Sequence, residues 1–279
     1  MADFSRFLLV SDFDHTLTDH TGCIPRANLD AISYFIANGG KFTICTGRSL
    51  PASRYPFRDI PMNAPLLFCN GAGCYDLDKE ELVFCHPLPD DCLEFIQHCA
   101  QAYSDLRLEI HGLDMHYVFH PDEYRDAVLL RQHTAFVHAT WDTVPACGIK
   151  FSLYNWNAST ADVVPDSAQG RYFQRITDEI NARGAGRYTA TNSMPGLVEV
   201  QRAGTSKGIA ARALANELGR PVLVCAGDAP NDITMLKEAD LAFLAADGDS
   251  RMMNYNFQKA APSSEGTIAD IVLRLEAMD

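Results

Sequence analysis

The chain has no Cys-x-x-Cys pair, no phosphate-binding P-loop sequence, no apolar run of membrane length and no excess of basic charge. Each absence removes a class of function. The nine cysteines are Cys23, Cys45, Cys69, Cys74, Cys85, Cys92, Cys99, Cys147 and Cys225. Several fall inside apolar runs, as in Phe68-Cys69 and Val224-Cys225, so buried, reduced thiols are expected rather than a disulfide framework or a clustered zinc site. Gly71-Ala72-Gly73 lacks the spacing of a dinucleotide-binding fingerprint. The N-terminal MADFSRFLLVSDFD has a short apolar run that passes straight into acidic residues, so it is not expected to be a signal peptide. With no segment of transmembrane length, the expectation is a cytoplasmic protein with no membrane partner. Lys and Arg number 23 against 36 Asp and Glu, a formal net charge of -13. That argues against nucleic acid as a partner and leaves small anions open, because a local basic or metal site binds phosphate inside an acidic protein. Internal repeats and low-complexity linkers are also missing.

What is present is ordinary globular material: 279 residues, 47% hydrophobic and 21% charged, enough for one large domain or two modest ones. Phe7 to Ser11 reads as a buried strand ending at Asp12 and Asp14. A helical pattern from about Pro25 carries Leu29, Ile32, Phe35 and Ile36 on one face, and Asn38-Gly39-Gly40 stops it. Lys41 to Cys45 and Leu66 to Cys69 read as further strands, ending at Thr46-Gly47-Arg48 and Asn70-Gly71. Between about residues 80 and 190 the texture changes. Short strand-like runs (82–85, 107–110, 116–119, 135–138, 150–155) are broken by helical patterns near 91–103 and 166–181, as in a separate α+β unit with an antiparallel sheet. The first texture then returns. Thr205-Ser206 can cap a helix with Ile209, Ala213, Leu214 and Leu218 on its apolar face. Residues 221–226 form a strand ending at Gly227-Asp228, and a terminal helix carries Ile268, Ile271, Val272 and Leu275.

In a parallel α/β sheet, ligands bind beyond the carboxyl ends of the strands. Asp12, Asp14, Thr46, Arg48, Asn70 and Asp228 all follow strands of that kind. Asp12 and Asp14 share one face of an extended chain, and two close carboxylates call for a compensating cation. Magnesium, which prefers oxygen ligands, suits them, with Asp228 the better direct ligand and Asp232 acting through water or from behind. A carboxylate can attack phosphorus and a second can protonate the leaving oxygen, roles that suit Asp12 and Asp14. Lys207 would neutralise charge on the phosphoryl group, and Thr46 with backbone N–H groups near Gly47 would hold its oxygens. Taken singly, each motif has a plain structural reading: a turn, a cap or a surface lysine. His111, His116 and His120 are weighed as zinc ligands and set aside in favour of cap-surface or substrate-facing positions. Trp141, Tyr154 and Trp156 stay open between core aromatics and pocket walls.

The set Ser11-Asp12-Phe13-Asp14-His15-Thr16-Leu17, Thr46-Gly47-Arg48, Asn70-Gly71-Ala72, Lys207-Gly208 and Gly227-Asp228-Ala229-Pro230-Asn231-Asp232 resembles the haloacid-dehalogenase superfamily, in particular its Cof-type phosphatases with a large α/β cap. The resemblance implies a Rossmann-like, mostly parallel sheet core at 1–80 and 188–279 with an inserted α+β substrate-specificity cap at 81–187. It implies Asp12 as nucleophile, Asp14 as general acid/base and Lys207 on the phosphoryl group. Thr46, Gly47, Arg48 and Asn231 serve the phosphate pocket, and Mg2+ sits at Asp12, Asp14, Asp228 and Asp232. Two positions depart from the family pattern. His15 replaces the usual Gly, either narrowing the mouth or standing as a tolerated turn residue. Ala229 replaces the usual Gly or Ser. The expected activity is hydrolysis of a small phosphorylated metabolite, by a monomer or homodimer. The alternatives are a phosphomutase or phosphotransferase, and a non-catalytic binder of a phosphorylated metabolite.

Overall fold

The structure, a computed structural model, describes residues 2–145, 148–155, 166–194 and 196–278. Cys147 and Trp156 lie outside them, and so do the readings made of those residues. In chain order the elements are β1 (Phe7–Ser11), α1 (Arg26–Ala37), β2 (Lys41–Ile44), α2 (Leu50–Phe57), β3 (Leu66–Phe68), β4 (Gly73–Asp76), β5 (Glu81–Cys85), α3 (Cys92–Ala102), β6 (Leu106–His111), β7 (His116–Val118), α4 (Glu123–Arg131), β8 (Phe136–His138), β9 (Lys150–Asn155), α5 (Ala168–Arg183), β10 (Tyr188–Met194), β11 (Leu197–Arg202), α6 (Lys207–Glu217), β12 (Val222–Gly227), α7 (Ile233–Glu238), β13 (Leu241–Ala245), β14 (Gln258–Ala260) and α8 (Thr267–Glu276). Short 3-10 turns join some of them.

The α/β class is as expected. Five strands in the order β14-β13-β12-β1-β2 form a sheet in which every pair is parallel. β1 is buried along its whole length, as a central strand covered on both faces must be, and its sequence is accordingly apolar without alternation. A single parallel bridge from Cys45 to Leu67 leads on to the small sheet β3-β4-β5. α1 turns Ile32 and Phe35 inward, and its one buried polar residue has a defined task. Asn28 donates to Leu17 O at 2.9 Å and accepts from the N–H groups of Ile268 and Ala269 at 3.0 and 3.1 Å. It thereby satisfies the first turn of α8, whose own cap, Gly266, has no side chain to do so.

The second sheet has the order β10-β11-β9-β6-β7-β8. It is antiparallel as expected except for the β7–β8 pair, which is parallel. Along β6 and β9 apolar and polar residues alternate. Leu106, Leu108, Ile110, Phe151, Leu153, Val198 and Val200 join Cys92 and Ile96 of α3 and Phe173, Ile176 and Ile180 of α5 in one apolar cluster. Trp141 packs at the margin of this cluster, its ring 4.4 Å from that of Phe119, so it is a core aromatic.

The chain divides into two compact units. One is Met1–Gly47, Asp59–Val83 and Ser206–Asp279; the other is Arg48–Arg58 and Phe84–Thr205. The expected return to the core at residue 188 is too early. β10 and β11 pair with β9 in the antiparallel sheet, and alternating strands of this kind need the same helix-covered face as their neighbours. Arg48–Arg58, expected in the core, groups with the inserted unit. α4 was not foreseen from the sequence: of its residues only Leu129 is buried, so it lacks an apolar stripe. Among the described residues no helix is long and apolar enough to cross a membrane.

Candidate active site

Four of the anticipated side chains meet where β1 and β12 end. These two strands are neighbours, and Asp12 N donates to Ala226 O at 2.9 Å, which holds the start of each following loop beside the other. Asp12, Asp228 and Asp232 are all buried, with carboxylate oxygens within 4.8 Å of one another. The Lys207 ammonium, at 0% exposure, donates to Asp12 Oδ1 and to Asp232 Oδ1, each at 2.6 Å. Thr16 donates from Oγ1 to Asp228 Oδ1 at 2.7 Å. Oδ2 of Asp12 and Oδ2 of Asp228 are thus the oxygens left for other work. Asp232 is committed on both sides, because its Oδ2 accepts from the N–H groups of Asp228 and Ala229 at 2.9 and 3.0 Å. Ala229 takes part through its backbone, which is why a methyl side chain serves there.

Two glycines make this packing possible. A Cβ on Gly227 would lie 2.5 Å from Asp232 Cβ and 2.7 Å from its Oδ2, so only glycine lets that carboxylate fold back under the loop. At Gly71 a Cβ would stand 2.5 Å from Ser206 O, and φ is +85°, so glycine is needed both for the turn and for its close approach to the start of α6. Ser206 caps α6 by accepting from Ile209 N, and Lys207 is the helix's first residue.

A second line of contacts ties the neighbouring loops. Cys45 N donates to Ser11 O, Thr46 N to Leu67 O and Asn70 N to Thr46 O, at 2.9, 2.9 and 2.8 Å. Asn231 Nδ2 then donates to Asn70 Oδ1 at 3.0 Å, while Asn231 Oδ1 is buried without a hydrogen-bond partner. Thr46 is buried; Gly47 and Asp14 are half-buried. Arg48 is the first residue of the other compact unit.

The electrostatics follow from burial. Desolvation pushes the Asp12 carboxyl up to about 7, against the pull of Lys207 and with further upward push from Asp232 and Asp14. Asp228 is raised well above the carboxylate range by burial, then by Asp232 and Asp12. Burial works against the Lys207 charge, but Asp12 and Asp232 outweigh it and hold the ammonium protonated. Three carboxyl groups face one ammonium in a buried site, so their ionised forms lack matching positive charge. All the donors are hard oxygens, and this chemistry fits a divalent cation such as Mg2+.

His15 has φ +60° and so stands in a left-handed turn, closed by His15 N donating to Thr18 Oγ1 at 3.2 Å. Its ring is tied as well, with Nδ1 at 3.0 Å from His20 Nδ1, and His20 Nε2 lies 3.1 Å from Asp247 Oδ2. His20 and Asp247 carried no sequence signal, being far apart in the chain. Thr16 was legible only as part of a motif, without a role. The other histidines separate: His111 and His116 are buried together beside Glu109, while His120 is exposed at a left-handed turn. Eight of the cysteines are described, and no disulfide joins any two of them. Burial raises the thiols of Cys45 and Cys225, which keeps them protonated and inert.

A family model for haloacid dehalogenase-like hydrolases matches residues 9–271. The solved structure of SMU.1108c from Streptococcus mutans UA159 is similar with a TM-score of 0.81 at 17% identity, over 97% of this chain and 98% of that one. A HAD/COF-like hydrolase from Plasmodium vivax gives 0.78 at 20% identity, over 98% and 95%. The HAD subclass IIB sugar phosphatase BT4131 gives 0.77 at 18% identity, over 96% and 98%. At such identities the structural likeness speaks for the fold, and the family match speaks for descent. The chain belongs to the haloacid dehalogenase-like hydrolases.

Proposed function

We propose that this hydrolase cleaves a small phosphomonoester, a sugar phosphate or a phosphorylated cofactor, through an aspartyl-phosphate formed on Asp12, with Mg2+ as its metal. The observation that carries the reading is the buried Lys207 ammonium bonded at 2.6 Å to both Asp12 and Asp232 inside a three-carboxylate cluster. An amine so placed holds one Asp12 oxygen still and leaves the other to attack. It also meets the negative charge of a phosphoryl group arriving at that oxygen.

Asp12 Oδ2 attacks phosphorus, the bond from phosphorus to the leaving oxygen breaks, and Asp14 gives that oxygen its proton. Asp14 then takes a proton from water as the water oxygen bonds to phosphorus and the Asp12–phosphorus bond breaks, which releases inorganic phosphate. Thr46, Gly47, Asn231 and Arg48 serve the phosphoryl oxygens. Asp12, Asp14 and Asp228 would hold the metal, with Asp232, whose oxygens are both engaged, acting behind them. The metal supplies positive charge to the phosphoryl oxygens. The printed name of BT4131 as a sugar phosphatase supports a sugar phosphate as a first substrate class to try.

The test is a phosphate-release screen over phosphomonoesters with Mg2+, using Asp12→Asn as the blank. Release by the parent chain and none by the variant is the expected result. Release that survives in Asp12→Asn removes the nucleophile assignment. Transfer to a second metabolite in preference to water would replace hydrolysis by phosphotransfer.

A further inference from the structure

The turn that carries Asp14 is fastened at two points. Leu17 N and Thr18 N donate to Phe13 O at 3.1 and 3.0 Å, so residues 13–18 close on themselves with Asp14 and His15 between the ends. Thr16 fixes one side of this turn to Asp228 Oδ1. The other fastening runs through the rings. His15 Nδ1 is 3.0 Å from His20 Nδ1, and His20 Nε2 lies 3.1 Å from Asp247 Oδ2. Asp247 is itself anchored, accepting from Ser263 N at 2.8 Å and from Ser263 Oγ at 2.7 Å. The residues after it return to the site. Asp249 N donates to Asp228 O at 2.9 Å, and a Cβ on Gly248 would stand 2.9 Å from that same oxygen. The contacts form a closed loop, Asp228–Thr16–His15–His20–Asp247–Asp249–Asp228, with every member in one compact unit.

The partners set the direction of the bonds. Burial alone would raise the Asp247 carboxyl, but Ser263 and then His20 hold it below its ordinary value, so it is a carboxylate. A carboxylate facing Nε2 favours the proton on that nitrogen. In a neutral His20, Nδ1 is then the acceptor and His15 Nδ1 donates to it. His15 is thereby held in one tautomer as well as in one place. It adjoins Asp14 in the chain, and Asp14 is near enough to Asp12 to push that carboxyl up.

We infer that His20 is a positioning residue for Asp14: with Asp247 it latches His15, and the latch holds the turn that presents Asp14. The inference rests on Asp14 being the acid/base of the proposed hydrolysis. A group that moves a proton must stay within hydrogen-bond reach of it, so a loosened turn slows the chemical step more than it weakens binding.

The His20 side chain is 59% exposed, so replacing it leaves the fold in place. His20→Phe keeps a ring and loses both nitrogens. An exposed tie predicts a modest effect: kcat for a cleaved phosphomonoester falls by about 3- to 5-fold, and KM changes less than about twofold. His15→Asn, which tolerates the left-handed turn, gives the same fall, and combining it with His20→Phe adds little. Two readouts need no turnover. At about pH 8.5, where imidazoles are neutral, ring-nitrogen NMR shifts of the metal-free chain place the proton on Nε2 of His20 and on Nδ1 of His15. Asp247→Asn, whose amide can keep the Ser263 bonds and donate to His20, reverses both assignments. Amide exchange at Leu17 and Thr18 quickens in His20→Phe. The opposite tautomers in the parent chain, additive effects of His15→Asn and His20→Phe, an unchanged kcat in His20→Phe, or a rise in KM without a fall in kcat would overturn the inference. A parent chain that shows these tautomers but cleaves no phosphomonoester would sink the hydrolase reading alone, since ring shifts and amide exchange read the latch without turnover.

Discussion

Both compact units bury charge, and they do so in opposite ways. In the inserted unit the buried charges are matched. Arg125 Nε bonds Glu109 Oε1 at 2.8 Å, Arg107 Nη2 bonds Asp126 Oδ1 at 2.9 Å, and Lys150 pairs with Glu199. Burial alone would raise the Glu109 carboxyl, but Arg125 and then His116 outweigh it and hold it well below the usual range. In the core unit Asp12, Asp228 and Asp232 face one ammonium, Lys207, and the carboxyls of Asp12 and Asp228 are pushed up instead. Matched buried charges are a finished structure. Unmatched ones mark a place prepared for something the chain does not itself supply, at a cost in stability that function explains.

The largest test removes one of the unmatched carboxylates. Asp12→Asn is expected to lower phosphate release by about four orders of magnitude or more. Because the ionised carboxylate is disfavoured where it sits, the same change should not lower the thermal midpoint of the metal-free chain. Phosphate release at near-parent rate, or a clear loss of midpoint, would mean that the core charges are as settled as those of the other unit.

Removing the cation comes next. Lys207→Met leaves Asp12 and Asp232 facing each other, and breaking a buried pair from one side costs about 3–5 kcal/mol. Arg125→Met should cost about as much by stranding Glu109. The two differ in rescue: saturating Mg2+ should recover part of the Lys207→Met loss and none of the Arg125→Met loss, as read by denaturant unfolding with and without metal. Equal recovery in both would erase the distinction between the units.

A pH series probes the same contrast with a smaller effect and opposite signs. Asp12 has a folded value near 7, raised from 3.8, so its stabilising contribution is complete below about pH 3.8 and is lost as the pH rises through 7. Glu109 is depressed from 4.5, so its contribution is present above that value and is lost only as the pH falls below it. With a chelator present, amide protection in β1 and β12, corrected for intrinsic exchange, should fall between pH 5 and 8 while protection in β6 holds. Added Mg2+ should flatten the β1 and β12 response. Protection of β1 that rises with pH would contradict the charge excess.

The contrast also explains what was legible in the sequence. The core was readable because each functional group follows an apolar strand, and the rule that parallel sheets bind at their carboxyl edge gathered Asp12, Thr46, Asn70 and Asp228 without any coordinates. The inserted unit was readable in its strands and poorly in its extent. Tyr188–Arg202 alternates like a strand of either sheet, and only pairing with β9 assigns it. Nothing local in Arg48–Arg58 says that it joins the other unit, because the contact that does so, Ser49 to His116, spans 67 residues. Long-range polar ties such as His15–His20–Asp247 leave no periodicity to find.

The smallest predicted effect is the most diagnostic for Lys207. On the sequence, a lysine at the start of a helix belongs outside, and the apolar face is expected at Ile209, Ala213, Leu214 and Leu218. In the structure Leu214 is buried as expected, but Ile209 and Ala213 are exposed. Lys207, Ala210, Ala211, Leu214 and Ala215 are buried, and Ile209 is 54% exposed. A helix has one face to bury, and here it is spent on bringing an ammonium to Asp12 and Asp232. Ile209→Gln should therefore change unfolding free energy by no more than about 0.5 kcal/mol, the usual range for an exposed site. The rejected orientation makes Ile209 a core residue, and losing it would cost about 2–5 kcal/mol. A loss of that size would rotate α6, carry Lys207 out of the carboxylate cluster, and with it remove the observation on which the phosphohydrolase reading stands.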